Sequence, residues 1–209
     1  MTTGASARVP APCSRASSPS FRMRRLILWN VITLDGLFEG EKPWDLPWHE
    51  QVWGEDLERL SIEQLRSADG LVFGRATYEG MARHWRTAQG EIADYMNALP
   101  KYVFSRTLRA AEWQNSTIVA GEPATAIPEL KRQGDGNLFV FGSADLSAAL
   151  VKAQLYDEYR IAIAPVIHGA GRPLFEAGLP HQRLVLLESR ALSNGCVILR
   201  YAPAAVAPT

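Results

Sequence analysis

Apolar residues fill positions 26 to 32 except for Asn30, and the run closes on Asp35-Gly36, a turn dipeptide, so the pattern opens on a strand over 26–32. A long loop follows, holding Trp44, Pro47, Trp48 and Trp53, before a helical pattern begins near Glu55. Within it, Ser61-Ile62-Glu63-Gln64 has the form of a capping box, which leaves two short helices or one helix with a restart. Downstream the two periods alternate. Short apolar runs predict strands at 70–73, 102–104, 117–119, 138–141 and 159–164. Helical patterns predict helices at 77–85, 92–99, 125–131 and 146–153, with Pro128 tolerated near the first turn of the third. Segments 183–188 and 197–201 flank Ser193-Asn194-Gly195, a good hairpin turn. Strands without a polar face, separated by helices, belong to a largely parallel sheet covered on both sides. The expected fold class is α/β, one domain with a mixed, mostly parallel sheet and a C-terminal antiparallel hairpin.

Composition narrows the function classes. A chain of 209 residues that is 47% hydrophobic can bury one substantial core, or at most two small ones. Lys plus Arg and Asp plus Glu are equal at 22 each, so a broad basic face for nucleic acid or an acidic membrane is not expected, and any anion site must be local. Cys13 and Cys196 stand alone, and His49, His84, His168 and His181 are scattered, read as surface or loop residues; no metal is expected. No apolar run approaches the ~20 residues of a membrane helix. The first 22 residues lack acidic residues and an apolar signal core, so 1–22 is expected to be a disordered extension or to precede a true start at Met23, with an organelle transit peptide as the alternative. The expectation is a cytoplasmic domain over 23–202 followed by a flexible Ala/Pro tail over 203–209.

Ligands of such sheets bind outside the carboxyl ends of the strands. There the chain carries Gly74-Arg75-Ala76-Thr77 after the second strand, Ser105-Arg106-Thr107 after the third, and Gly142-Ser143-Ala144 before a helix. A glycine turn into a helix start presents unpaired N–H groups to an anion. Gly142-Ser143 is a second candidate nest, with Ser143 able to cap its helix, and Asp145 is expected to face solvent. Arg75 and Arg106 follow neighbouring strands, and a guanidinium pair suits a compact dianion such as a 2′-phosphate, which points to NADP over NAD. Each motif alone also fits an ordinary polar strand end.

In order, T-L-D-G, L-P-W, D-L, G-R-x-T-Y-E, V-x-S-R-T-L and F-G-S-x-x-L resemble the dihydrofolate reductase-like superfamily. The stretch from Leu155 to Ile161, followed by Ala164 to Phe175, looks like the reductase domain of the bifunctional riboflavin-biosynthesis deaminase-reductase. The resemblance runs from about Arg24 to Tyr201, and no H-x-E with a later P-C-x-x-C is present, so it is to a free-standing reductase-domain paralogue. It implies a three-layer α/β/α fold, NADPH bound across the sheet, and hydride transfer to a C=N or C=O carbon of a heterocyclic or sugar-derived small molecule. Carried over by position, Gly74, Arg75 and Thr77 would hold the adenosine phosphates, with Ser105 and Arg106 at the 2′-phosphate. Gly142, Ser143, Ala144 and Leu146 would line the pyrophosphate turn, while Val31, Ile32 and the Asp35-Gly36 loop would lie against the nicotinamide. The resemblance also implies a homodimer.

For the proton, Asp56 of the Asp56-Leu57 pair matches the dihydrofolate reductase acid by position; a carboxyl in a Trp-lined pocket would have a raised pKa. The same residue also reads as one of several acids at a helix N-terminus. Trp48, with Trp44 and Trp53, would stack on a heterocycle or form a local core. Three functions stand: a reductase related to 5-amino-6-(5-phosphoribosylamino)uracil reductase, a dinucleotide-binding sensor without turnover, and dihydrofolate reductase activity. Asp56 facing the pocket favours either enzyme; Asp56 facing solvent, with no other acid in reach, favours the sensor.

Overall fold

The computed structural model describes residues 23–205; the extension expected over 1–22 lies outside the described residues. In chain order the strands are Arg25–Thr33 (β1), Leu37–Glu39 (β2), Ala68–Gly74 (β3), Lys101–Phe104 (β4), Ser116–Val119 (β5), Asn137–Phe141 (β6), Glu158–Ala164 (β7), Arg172–Pro173 (β8), Leu184–Ala191 (β9) and Val197–Pro203 (β10). The helices are Pro47–Val52 (α1), Glu55–Arg66 (α2), Arg75–Trp85 (α3), Glu91–Ala98 (α4), Pro123–Lys131 (α5) and Ala144–Lys152 (α6).

The main sheet has the order β5-β4-β3-β6-β1-β7-β10-β9. Parallel pairing runs from β5 to β7, and β10 lies antiparallel between β7 and β9. Alternation along β1 divides the core. Ile27, Trp29 and Val31 face a cluster that includes Trp48, Val52, Leu57, Tyr78 and Met96 from α1 to α4, whereas Leu26, Leu28 and Ile32 face Ile127, Leu130, Leu146 and Leu150 of α5 and α6. This is the expected three-layer α/β/α arrangement. Beneath it, the fully buried Glu158 carboxylate is paired with Arg25, Arg160 and Arg200, which ties β1, β7 and β10 together.

Several elements differ from the pattern reading. The Ser61 motif is no cap: α2 is one helix, and the Ser61 hydroxyl donates to the Leu57 carbonyl one turn back. The tryptophan loop contains α1, with Pro47 in its first turn. β2 and β8 pair through Leu37↔Pro173 and Glu39↔Arg172, too short for any periodic signal. Order continues past the expected boundary at 202, since β10 includes Pro203 and the Ala204 N–H bonds to the Arg183 carbonyl.

Candidate active site

The carboxyl ends of β3, β4, β5, β6 and β1 open on one cavity of about 770 Å³. Three helices start at its rim: α3 after Gly74, α5 after Glu122 and α6 after Ser143. Gly74, Arg75, Thr77, Ser105, Arg106, Gly142, Ser143, Ala144, Leu146 and Val31 all line it.

The α3 and α6 starts are spliced together. The Gly74 N–H donates to Ser143 Oγ at 3.0 Å, the Ser143 N–H donates to Thr77 Oγ1 at 2.9 Å, and the Gly142 N–H donates to Asn30 Oδ1 at 3.0 Å. Ser143 therefore does not cap α6 as expected; its hydroxyl serves Gly74 and the Phe141 carbonyl, with its own backbone left-handed at φ 60°. Gly142 has φ +58°, and a Cβ there would press on the Thr77 methyl at 3.1 Å, so glycine keeps this turn close to α3. The N–H groups of the first turn of α6, from Ala144 to Leu146, have no intrahelical acceptor and no side-chain cap among the described residues, which leaves them to an anion. Asp145 is exposed and paired with Arg172, a cavity-lining cation that the sequence reading passed over. Arg75 is half-exposed and held by Glu79 one turn along, while Arg106 lines the cavity and makes no ion pair among the described residues.

Five expected site residues sit elsewhere. Ile32 points to the opposite face of β1, against the α6 side of the core, because strand side chains alternate. Asp35 accepts from the His168 and Gly169 N–H groups, and the Thr33 hydroxyl with these two N–H groups holds its carboxyl down at about 2. Gly36 serves that same turn, with φ +85° and its carbonyl bonded to the Leu174 N–H. Trp48 is fully buried on the inner face of α1, edge-on to His168 with ring centroids 5.0 Å apart; Trp44 and Trp53 line the cavity instead. Asp56 is turned away: its carboxylate accepts from the Ser193 N–H at 3.0 Å and hydroxyl at 2.7 Å and pairs with Arg59. The Ser193 bonds hold its pKa below the usual range, the reverse of the raised value expected in a Trp-lined pocket.

Other residues take the places around the cavity. Asn30, His49, Ser61 and Gln64 all line it. Asn30 Nδ2, His49 Nε2 and Gln64 Nε2 are buried without a hydrogen-bond partner among the described residues. Burial pushes the His49 pKa below its ordinary value, against a smaller opposing pull from the Val31 backbone. The Asn30 signal was present as the one polar break in an apolar strand; Ser61 and Gln64 were hidden by their resemblance to a cap, and His49 by its place in an apparent loop. Trp44, left-handed at φ 66°, lays its indole over Gly80 of α3, where any Cβ would collide with it. Among the described residues no cluster of His, Cys, Asp and Glu could hold a metal ion.

The model of the family described as RibD C-terminal domain matches residues 24–198. The chain belongs to this family. Among curated proteins, it is 26% identical over 187 residues to the uncharacterized protein YyaP of Bacillus subtilis (strain 168), covering 87% of this chain and 96% of that one. A crystal structure of a putative riboflavin biosynthesis protein from Shewanella sp. PV-4 shares the fold with a TM-score of 0.72 at 21% identity, covering 86% of this chain and 99% of the other. Dihydrofolate reductase from Enterococcus faecalis, solved with NADP(H) and RAB-propyl, shares it with a TM-score of 0.58 at 16% identity, covering 87% and 98%. The RibD C-terminal assignment and the dihydrofolate reductase-like fold agree with the motif order, and no described helix is long and apolar enough to cross a membrane.

Proposed function

We propose that this chain is an NADPH-dependent reductase that transfers hydride to a C=N or C=O carbon of a small heterocyclic or sugar-derived molecule. The observation that carries the reading is the convergence of two spliced helix starts with Arg75 and Arg106 at the strand ends of a cavity that continues into an apolar, tryptophan-lined half. The donor set fits a dinucleotide. Free N–H groups of α6 suit a pyrophosphate, Arg106 with the Ser105 hydroxyl suits a 2′-phosphate, and the orphaned Asn30 amide lies where β1 parts from the Gly142 turn. NADP(H) in the Enterococcus faecalis enzyme is consistent with this use of the fold.

When bound, NADPH supplies the hydride. This chain's residues orient the acceptor carbon, exclude water and deliver a proton to the reduced atom. His49 takes the proton role in place of Asp56, because it is the titratable side chain on the α1–α2 side of the cavity. A second reading, a dinucleotide sensor without turnover, draws on Asp56 being bound to Ser193 and not lining the cavity. The displaced Asp56 also removes the motif-based case for dihydrofolate reductase activity.

The β9 edge, uncovered among the described residues and with Leu184, Val185, Leu186 and Leu187 all exposed, supports a homodimer.

Calorimetric titration with NADPH and NADH tests the cofactor. Wild-type protein should prefer NADPH, and Arg106→Ala should cut that preference about tenfold or more, equivalent to ~1.4 kcal/mol of lost phosphate contact. Equal affinities would discard the 2′-phosphate assignment. NADPH oxidation assayed with the riboflavin-pathway aminouracil and with dihydrofolate then separates the readings, since selective binding without turnover of any carbonyl or imine compound would favour the sensor.

A further inference from the structure

The charges that line the cavity are unevenly placed. Its lining cations are Arg75 at the start of α3, Arg106 after β4, and Arg172, held by Asp145 of α6. All three belong to the half where the α3 and α6 starts meet. The half enclosed by α1 to α4 is walled by Leu57, Leu65, Met81, Trp85, Met96 and Phe141, with no lining Lys or Arg among the described residues, and the lining carboxylate of Glu39 accepts from the Trp44 N–H beside it. Its other polar groups are His49, Ser61 and Gln64.

These groups are oriented. Gln64 is 2% exposed, and its Oε1 accepts from Arg160 Nη1 at 3.3 Å. A guanidinium can only donate, so the amide oxygen is committed to Arg160 and the Nε2 hydrogens are left without a partner among the described residues. Ser61 spends its hydrogen on the Leu57 carbonyl and retains lone pairs. His49 Nε2 adds a third unmet position. A buried donor without an acceptor keeps the full cost of its desolvation, a deficit that a ligand carbonyl or ring nitrogen opposite Gln64 would remove.

An anion finds no such welcome. A phosphate in this half would be desolvated with no lining cation to pair it among the described residues, since Arg160 behind Gln64 is already paired with the buried Glu158. Glu50 on α1 and Glu55, Asp56 and Glu58 in the first turn of α2 make the nearby surface acidic. The arginines of α2 are engaged, Arg59 with Asp56 and Arg66 with Glu91.

We propose that the α1–α4 half of the cavity binds a flat, uncharged carbonyl or heteroaromatic compound through Gln64, Ser61 and His49, and rejects the phosphorylated form of the same compound. This deepens the reductase reading by naming the substrate class, and it departs from a phosphoribosyl substrate. As substrate class it rests on that reading, whereas the binding preference is measured without turnover.

The test uses 6-hydroxymethylpterin and its phosphate monoester, titrated calorimetrically into the full chain with and without saturating NADP+. The neutral pterin should bind at least tenfold more tightly than its phosphate. Gln64→Leu should weaken the neutral pterin about fivefold or more while leaving the NADPH titration unchanged, a separation that misfolding would not produce. Ser61→Lys, which brings a cation into this half, should shift the preference toward the phosphate. Equal or tighter binding of the phosphate by the wild-type protein, or no binding of the neutral compound, overturns the proposal. Failure of NADPH to bind would instead remove the reductase reading and leave the measured pterin preference standing.

Discussion

Asp56 and His49 exchange roles between sequence and structure. Asp56 lies in a motif that resembles a catalytic acid, yet its carboxylate secures the Ser193 turn. His49 carries no motif, but it lines the cavity from α1, with Nε2 buried and unmatched among the described residues. Their pKa directions lead to different pH responses. Burial holds the folded His49 pKa below 6.5, so the unfolded chain binds more protons between that lowered value and 6.5. Its stabilising contribution is complete above 6.5 and is lost as pH falls through the window. Thermal melts of His49→Gln should therefore lose slope in that range, and kcat should fall by ~10² or more if the residue moves the proton. Asp56→Asn should lower Tm while leaving kcat and the melt slope between pH 5 and 7 unchanged, because its own pKa is held below 3.8. A collapse of kcat in Asp56→Asn would return the acid to the mechanism.

At the scale of elements, most strand and helix positions were readable because a buried parallel strand is apolar throughout and a covering helix repeats every 3.6 residues. The exceptions are those whose partners are distant. β2 and β8 exist only because Leu37 and Glu39 meet Pro173 and Arg172. The α2 capping motif failed because the helix already had a start at Glu55, packed by Leu57, Leu60 and Leu65. The starts of α3 and α6 were legible as glycine turns, but their splice through Thr77 and Ser143 was not, since the two residues lie 66 positions apart. Thr77→Val should leave the Ser143 N–H unmatched and cost about 1–3 kcal/mol of stability. NADPH affinity should fall with it, read from chemical denaturation and calorimetry on the same variant; unchanged values in both would deny the splice any role.

At the scale of the whole molecule, the sheet is asymmetric. Helices cover both faces from β3 to β7, whereas four consecutive apolar residues of β9 are exposed at the far edge. An edge left open among the described residues invites pairing, and a second copy of the chain would cover this one. Sedimentation should show a dimer that Leu186→Lys with Leu187→Lys, one charge on each face of the strand, converts to monomer. A monomeric wild type would leave the edge to another partner. Hydrophobic period and local turn chemistry made the α/β class, the mostly parallel sheet and the glycine-rich strand ends readable from sequence, because these depend on residues only a few positions apart. Tertiary structure decided that Asp56 and Trp48 leave the cavity, that Asn30, His49 and Gln64 reach it, and that its α1–α4 half carries no lining Lys or Arg among the described residues. Those outcomes depend on which way a side chain turns when distant elements pack, and that direction is set by contacts between elements that no local pattern records.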